Sequence, residues 1–290
     1  MYIGIDHGTT AMRFAGEGCE FRISRKDAVN FVYSDLERLC PLEEIEGIAL
    51  CYSMGDNFSH ITPVSKLKNR GVVSQEGAGE HIGGGTRVFD EIKGSGLPAV
   101  AIPGLHRGSP TDIRFKAYSH QASPEKIGIA YYAMDDLGPD VVVSDVSSNT
   151  VTLLITEGRI TGAFDACIFA PGMQHGALDV DAIRRIDNGV AGANESFLRA
   201  GTAFTMPSDE RERTIAMFSA MECAALLLLN PCANVALAGS LAPAIGVEVA
   251  LLLDRKVTVY DEWCASRGLA KIAKDVYSGS RSILGIDVDL

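Results

Sequence analysis

The chain has 290 residues, 47% hydrophobic and 22% charged, with 37 acidic against 26 basic side chains and a formal net charge of -11. That is enough apolar material for a packed core and excludes a disordered chain, and the length fits one large domain or two modest ones. The acidic excess is repelled by phosphate backbones and anionic lipid surfaces, so no nucleic-acid or membrane partner is expected.

In chain order, Tyr2–Ile5 is a short apolar run that stops at Asp6, followed by the small turn His7-Gly8-Thr9-Thr10. Met12–Ala15, the turn Gly16-Glu17-Gly18 and Cys19–Ile23 then read as an antiparallel meander. Lys26–Leu39 is expected to be a helix ending before Pro41, and Gly47–Cys51 a buried strand. Residues 53–96, which include Gly83-Gly84-Gly85, read as glycine-rich and irregular. Pro98–Ile102 is another buried strand, and Pro124–Leu137 a helix capped by Ser123 and stopped by Gly138-Pro139.

The opening pattern then recurs. Val141–Val143 leads to Asp145, the polar turn Ser147-Ser148-Asn149-Thr150, a returning strand Val151–Ile155, and the turn Glu157-Gly158. Strand, Asp, small polar turn, strand, turn and strand therefore occur twice, which points to an internal duplication. We place the expected boundary at Gly138-Pro139, with lobes 1–139 and 140–290. In the second half, Asp179–Ile186, Asn194–Ala200 and Asp209–Leu229 have helical spacing, with Ser208 as the expected cap of the third. Val235–Ala238 is a buried strand, followed by Gly239-Ser240, a helix from Leu241, a strand Val257–Val259 and a helix Glu262–Lys274.

The seven cysteines, at positions 19, 40, 51, 167, 223, 232 and 264, form no Cys-x-x-Cys pair. They suggest small core hydrophobes rather than disulfides or a zinc ribbon. No signal peptide is read at the start, and the apolar stretch Ala224–Leu229 falls far short of the ~20 residues of a span. A cytoplasmic protein is expected.

The turns suggest phosphate binding. Gly8 lets the backbone approach a ligand, Thr9 and Thr10 add hydroxyl and N–H donors, and Asp6 at the strand end suits a hydrated Mg2+. Ser147, Ser148 and Asn149 repeat those donors beside Asp145, the second candidate metal residue. A nucleotide in a cleft between two lobes needs one such turn from each. Gly239-Ser240, between a buried strand and a helix start, suits an adenosine and an anion at a helix N-terminus. A doubly wound dinucleotide fold does not fit, because the chain continues as strand after the first turn.

Ile3–Thr10 resembles the first phosphate motif of the superfamily of acetate and sugar kinases, heat-shock chaperones and actin. Asp145–Thr150 resembles its second phosphate motif, Val235–Ser240 its adenosine motif and Gly268–Ala273 its late connecting helix. The resemblance implies an α/β protein with a duplicated ribonuclease H-like, actin-like ATPase fold of two lobes and mixed sheets, binding ATP and Mg2+. Within the superfamily, Phe115–Lys126 and Gln174–Asp179 are similar to segments of short-chain acyl kinases. Gly4-Ile5-Asp6-His7-Gly8-Thr9-Thr10, Tyr52–Asp56 and Gly83-Gly84-Gly85-Thr86 are similar to an archaeal family called methanogenesis marker protein 12.

The acyl-kinase pattern is incomplete. Lys116 stands where that family has Asp, Gln174 where it has Arg, and Ser240-Leu241-Ala242 where it has Gly-Glu-Asn. His120 is retained, and Arg107, Arg114 and Arg87 are candidate replacements for the lost positive charge. The resemblance thus implies a magnesium-dependent kinase with a small carboxylate acceptor, or an ATPase, but not an authentic acetate kinase. The alternative is a nucleotide-gated accessory protein with little turnover that docks on a methanogenesis enzyme. A third reading keeps the architecture and loses the ligand. The helix Thr214–Leu229 is read as core, with a homodimer face as the alternative.

Overall fold

A computed structural model describes residues 1–51, 58–67 and 84–290. Tyr52–Asp56 and Gly83, singled out in the sequence, lie outside the described residues. The chain forms two compact units, one of Met1–Asp135 with Trp263–Leu290, the other of Asp136–Glu262.

The first unit opens with β1 (Tyr2–His7), β2 (Ala11–Ala15) and β3 (Glu20–Ser24), an antiparallel meander with Ile5 opposite Phe14 and Phe14 opposite Phe21. Phe14 stacks on Phe21 and on Phe31, with ring centroids 4.5 and 5.2 Å away, which anchors the core under the meander. The strand β4 (Gly47–Cys51) runs parallel to β1. It is followed by β5 (Thr62–Pro63), α1 (Gly84–Ser95) and β6 (Ala99–Ile102), giving the sheet order β3-β2-β1-β4-β6-β5. A two-stranded hairpin, β7 (Leu105–His106) with β8 (His120–Ala122), precedes α2 (Glu125–Leu137).

Two expectations change here. Lys26–Leu39 is not an α-helix but two 3-10 turns, Asp27–Asn30 and Tyr33–Arg38. The Ser24 hydroxyl accepts the Asp27 N–H and the Asp35 carboxylate accepts the Val32 N–H. These side chains take backbone donors and restart the chain twice. The glycine run is not wholly irregular, because Gly84 and Gly85 begin α1. A Cβ on Gly84 would lie 2.6 Å from Ala28 Cβ and from the Arg25 carbonyl, and one on Gly85 would lie 1.7 Å from His7 Nε2. Close packing, rather than a loop, is the reason for glycine there.

The second unit repeats the frame. An antiparallel meander of β9 (Val141–Val146), β10 (Thr150–Thr156) and β11 (Arg159–Phe164) comes first. Then come the helices α3 (Val180–Asp187), α4 (Ala193–Leu198), α5 (Thr202–Thr205) and α6 (Arg211–Leu227). The chain continues through β12 (Asn234–Ala238), α7 (Ala242–Leu253) and β13 (Val257–Val259). The sheet order is β11-β10-β9-β12-β13, with β12 parallel to both β9 and β13. Order and direction match β3-β2-β1-β4-β6 strand for strand, so the two sheets are copies of one design. Ser208 does not cap α6, whose N-cap is Glu210 with no side-chain cap bond. Instead the Arg211 guanidinium ties the helix start to the Met206 and Ala203 carbonyls.

The chain ends in α8 (Cys264–Tyr277) and the short pair β14 (Ser282–Ile283) and β15 (Ile286–Asp287). The expected second lobe, 140–290, included this helix. In the structure α8 packs on β1 and β4 and belongs to the first unit, whose other part ends at Asp135. The contact is close: a Cβ on Gly4 would sit 1.9 Å from the Ser266 carbonyl oxygen, and one on Gly268 1.8 Å from the Gly128 carbonyl oxygen.

Candidate functional site

In the first unit the pattern Ile3-Gly4-Ile5-Asp6 alternates into a buried strand and delivers Asp6, 4% exposed, to its end. Arg13 on β2 lies directly opposite and sets its Nη1 3.3 Å from Asp6 Oδ2. The Cys51 thiol, at the end of β4, accepts the His7 N–H at 3.1 Å and lies 3.8 Å from Asp6 Oδ1. Burial, and then the Asp6 charge, push that thiol well above its usual range, so it stays protonated. Burial, and then the Arg25 guanidinium, push the His7 imidazole down to about 4, so it is neutral at physiological pH. The turn beyond is open to solvent at Thr9 and Thr10. Gly8 is needed there because a Cβ would meet Arg13 Nη1 at 2.5 Å and the Ala11 carbonyl at 2.8 Å. Arg25 donates to the Gly8 carbonyl at 3.3 Å and braces the turn from β3's far end.

In the second unit the matching strand β9 delivers Asp145, also 4% exposed. The turn after it closes through the Ser147 N–H on the Asn149 carbonyl, 2.9 Å away. It is buttressed from below: Met173 N–H donates to Ser147 O, and Gln174 and His175 N–H both donate to Ser148 O. Gly172 makes that stacking possible, since its Cβ would fall 2.3 Å from Asn149 Cα. The next layer repeats the device, with Gly201 under Gln174 and the Thr202 N–H on the Gly172 carbonyl. Gly239 ends β12 at φ +100°, and its Cβ would lie 2.3 Å from Asp145 Oδ1. The Leu241 N–H returns to the Val146 carbonyl at 3.1 Å. Asp145, the 147–149 turn and Gly239 thus share one end of the second sheet, with Ser240 exposed beside them.

The remaining candidates lie on the 105–122 segment. His120 is half-buried on β8, opposite His106. Arg107 donates to the Lys116 and Ala117 carbonyls at 3.0 and 3.4 Å. Arg114 forms a bidentate pair with Asp112 at 2.9 and 2.8 Å, and that pairing holds the Asp112 carboxyl down at about 2. Its charge is already matched. Arg87 serves the Phe31 carbonyl and Glu91.

Sequence reasoning overlooked a group of ionisable residues around Asp6. Lys126 on α2 is only 3% exposed, with its Nζ 3.1 Å from Glu125 Oε1. The charges of Glu125 and Lys126 act on Cys51, and that of Glu125 on His7. One signal was present: a lysine in the first turn of an otherwise apolar helix face is seldom buried without a charged partner.

Among the described residues, no group of three His, Cys, Asp or Glu side chains could hold a metal by itself. Mg2+ in phosphoryl-transfer sites is held by one or two carboxylates together with phosphates and water. Asp6 and Asp145, each at a strand tip beside a turn of donors, are carboxylates of that kind. Gly239 has no space for a Cβ, so its backbone packs directly against Asp145 and the Val146 carbonyl.

No protein-family model matches the chain. It is 45% identical to a UPF0285 protein of Methanosarcina acetivorans, over 99% of both chains. It is 44% identical to a UPF0285 protein of Methanocaldococcus jannaschii, over 99% of this chain and 98% of that one. The chain belongs to the UPF0285 family. Among solved structures, a propionate kinase from Francisella tularensis aligns with a TM-score of 0.55 at 12% identity, covering 93% of this chain and 98% of that one. The likeness shows the fold, the duplicated α/β architecture of ribonuclease H-like kinases and actin-like ATPases. No helix among the described residues is long and apolar enough to cross a membrane.

Proposed function

We propose that this protein binds ATP with Mg2+ through Asp6, Gly8, Thr9 and Thr10 of the first unit and Asp145, Ser147, Ser148, Asn149, Gly239 and Ser240 of the second, and that it transfers or hydrolyses the terminal phosphate. One observation carries the reading. Two sheets of identical order each end their first strand in a nearly buried Asp followed by a small turn of hydrogen-bond donors. The same carboxylate at the same point of a repeated frame, beside a small turn each time, is a placement that one shared ligand accounts for. Phosphoryl transfer asks for little more than such placement, because positioning and charge neutralisation do most of the work. Asp6 and Asp145 hold the hydrated metal in this reading, which supplies positive charge to the phosphates. Calorimetry against ATP with and without Mg2+ tests it. Metal-dependent binding that Asp6→Asn and Asp145→Asn each weaken by about tenfold or more supports the reading. No heat with any nucleotide ends it.

A second reading rests on the state of the arginines. A carboxylate acceptor needs unspent positive charge near His120, and Arg114 is paired with Asp112 while Arg107 serves two carbonyls. That favours a nucleotide-gated accessory protein over an acyl kinase. Its relatives come from methanogenic archaea, so the partner in this reading is an enzyme of methanogenesis, in keeping with the marker-protein resemblance. Tight nucleotide binding with negligible phosphate release supports it, and rapid turnover with a small carboxylate eliminates it.

A further inference from the structure

We infer that the outer face of α6 and α7 is the contact between two copies of this chain. Both helices sink into one core cluster on the second sheet, α6 through Ile215, Ala216 and Ala220, and α7 through Ala242, Ile245 and Val249. They also pack on each other. Their opposite sides therefore lie next to one another in solvent. On α6 that side carries Met217, 43% exposed, and Met221, 48%, with Leu228 at 82% just beyond the helix end. On α7 it carries Val247 at 75% and Leu251 at 76%. The spacings 217, 221, 228 and 247, 251 keep these residues on single helical stripes.

Charge selects the occupant. Between Thr214 and Leu229 the only charged residue is Glu222, and it is buried. Between Leu241 and Leu253 the only one is Glu248, which lies 4.0 Å from Arg213 at the rim. In a chain of net charge -11, this is where two copies can meet without bringing their acidic surfaces together. A basic or acidic partner would find nothing here to grip. The area agrees: these side chains and Leu252 leave on the order of 600 Å² of apolar surface in water, close to the roughly 800 Å² that each partner buries in a standard interface. Exposed Pro243, Ala244 and Ala224 extend the patch. A monomer seldom shows so large a patch without a use for it.

Sedimentation velocity of the full chain at micromolar concentration tests the inference. A species with the mass of two chains is expected, with Leu251→Glu weakening its association by roughly a hundredfold. Leu251 is exposed, so circular dichroism and melting of the variant should match the wild type. A wild-type monomer, a dimer indifferent to Leu251→Glu, or binding of the monomer to neutral lipid vesicles through this face would each overturn the assignment.

Discussion

Gly239 is the residue on which the proposed nucleotide site of the second unit turns. Its φ of +100° lies in the left-handed region, and a Cβ there would press to 2.3 Å from Asp145 Oδ1. Gly239→Ala is both strained and obstructive. We expect nucleotide affinity to fall by about tenfold or more in calorimetry, with the far-ultraviolet spectrum unchanged. Glu222 behaves differently. It is buried, accepts the Ala170 N–H and shares a hydrogen bond with Thr152, which continues through Ser144 to Ser219. Burial pushes its carboxyl up from 4.5 to about 8. An acid raised by folding takes up protons as the chain folds, so its contribution to stability is greatest below the unfolded value and is lost as pH rises through the folded one. The melting temperature should therefore decline between about pH 4.5 and 8. Glu222→Gln, neutral throughout, should melt above the wild type near pH 9 and level with it near pH 5. A wild-type profile in the variant would show that the carboxyl is charged in the folded protein.

At the scale of elements, small residues decide which pieces touch. The helix α8 approaches β1 at Gly4 and α2 at Gly268, where even a methyl group would enter a carbonyl oxygen's space. Backbone, unlike a side-chain tip, cannot swing aside. Gly268→Val should destabilise the protein by about 3 kcal/mol, measured by urea titration. Gly96→Ala makes a contrasting control. Nothing lies within 4 Å of that position, although its φ of +76° adds strain. It should cost only about 1 kcal/mol. The start of α1 follows the same logic, with Gly85 against the neutral His7 ring. Gly85→Ala should displace that ring, readable as a shifted imidazole resonance.

For the whole molecule, the two copies of one sheet design are not two halves of the chain. The first unit borrows its covering helix from the C-terminus. A chain ended at Glu262 leaves the face of β1 and β4 that carries Gly4, Gly47 and Ala49 without the α8 side chains Leu269, Ile272 and Val276, all fully buried in the intact protein. We expect limited proteolysis of such a chain to degrade residues 1–135 and spare a fragment near 136–262. Survival of both units would mean that α8 is dispensable to the first core.

Strand and turn order could be read from residues alone, because alternating or continuous apolar runs, closed by Asp and small residues, have one economical arrangement in a sheet. The repeat at Tyr2 and Val141 was visible for that reason, and the duplicated frame could be inferred from it. Local competition was not visible: Ser24 and Asp35 taking backbone donors from Lys26–Leu39 becomes apparent only when the geometry is known. Nor did spacing tell that Arg114 folds back on Asp112 within one short turn, or that Lys126 and Glu125 gather near Cys51 and His7, since that gathering depends on where a helix comes to rest. What the sequence determined by itself was the periodic part of the fold and the chemistry of its turns, both set by neighbours in the chain. Tertiary structure alone decided which helix covers β1, because packing between residues more than two hundred positions apart depends on shape, and glycine records only that something comes close, not what.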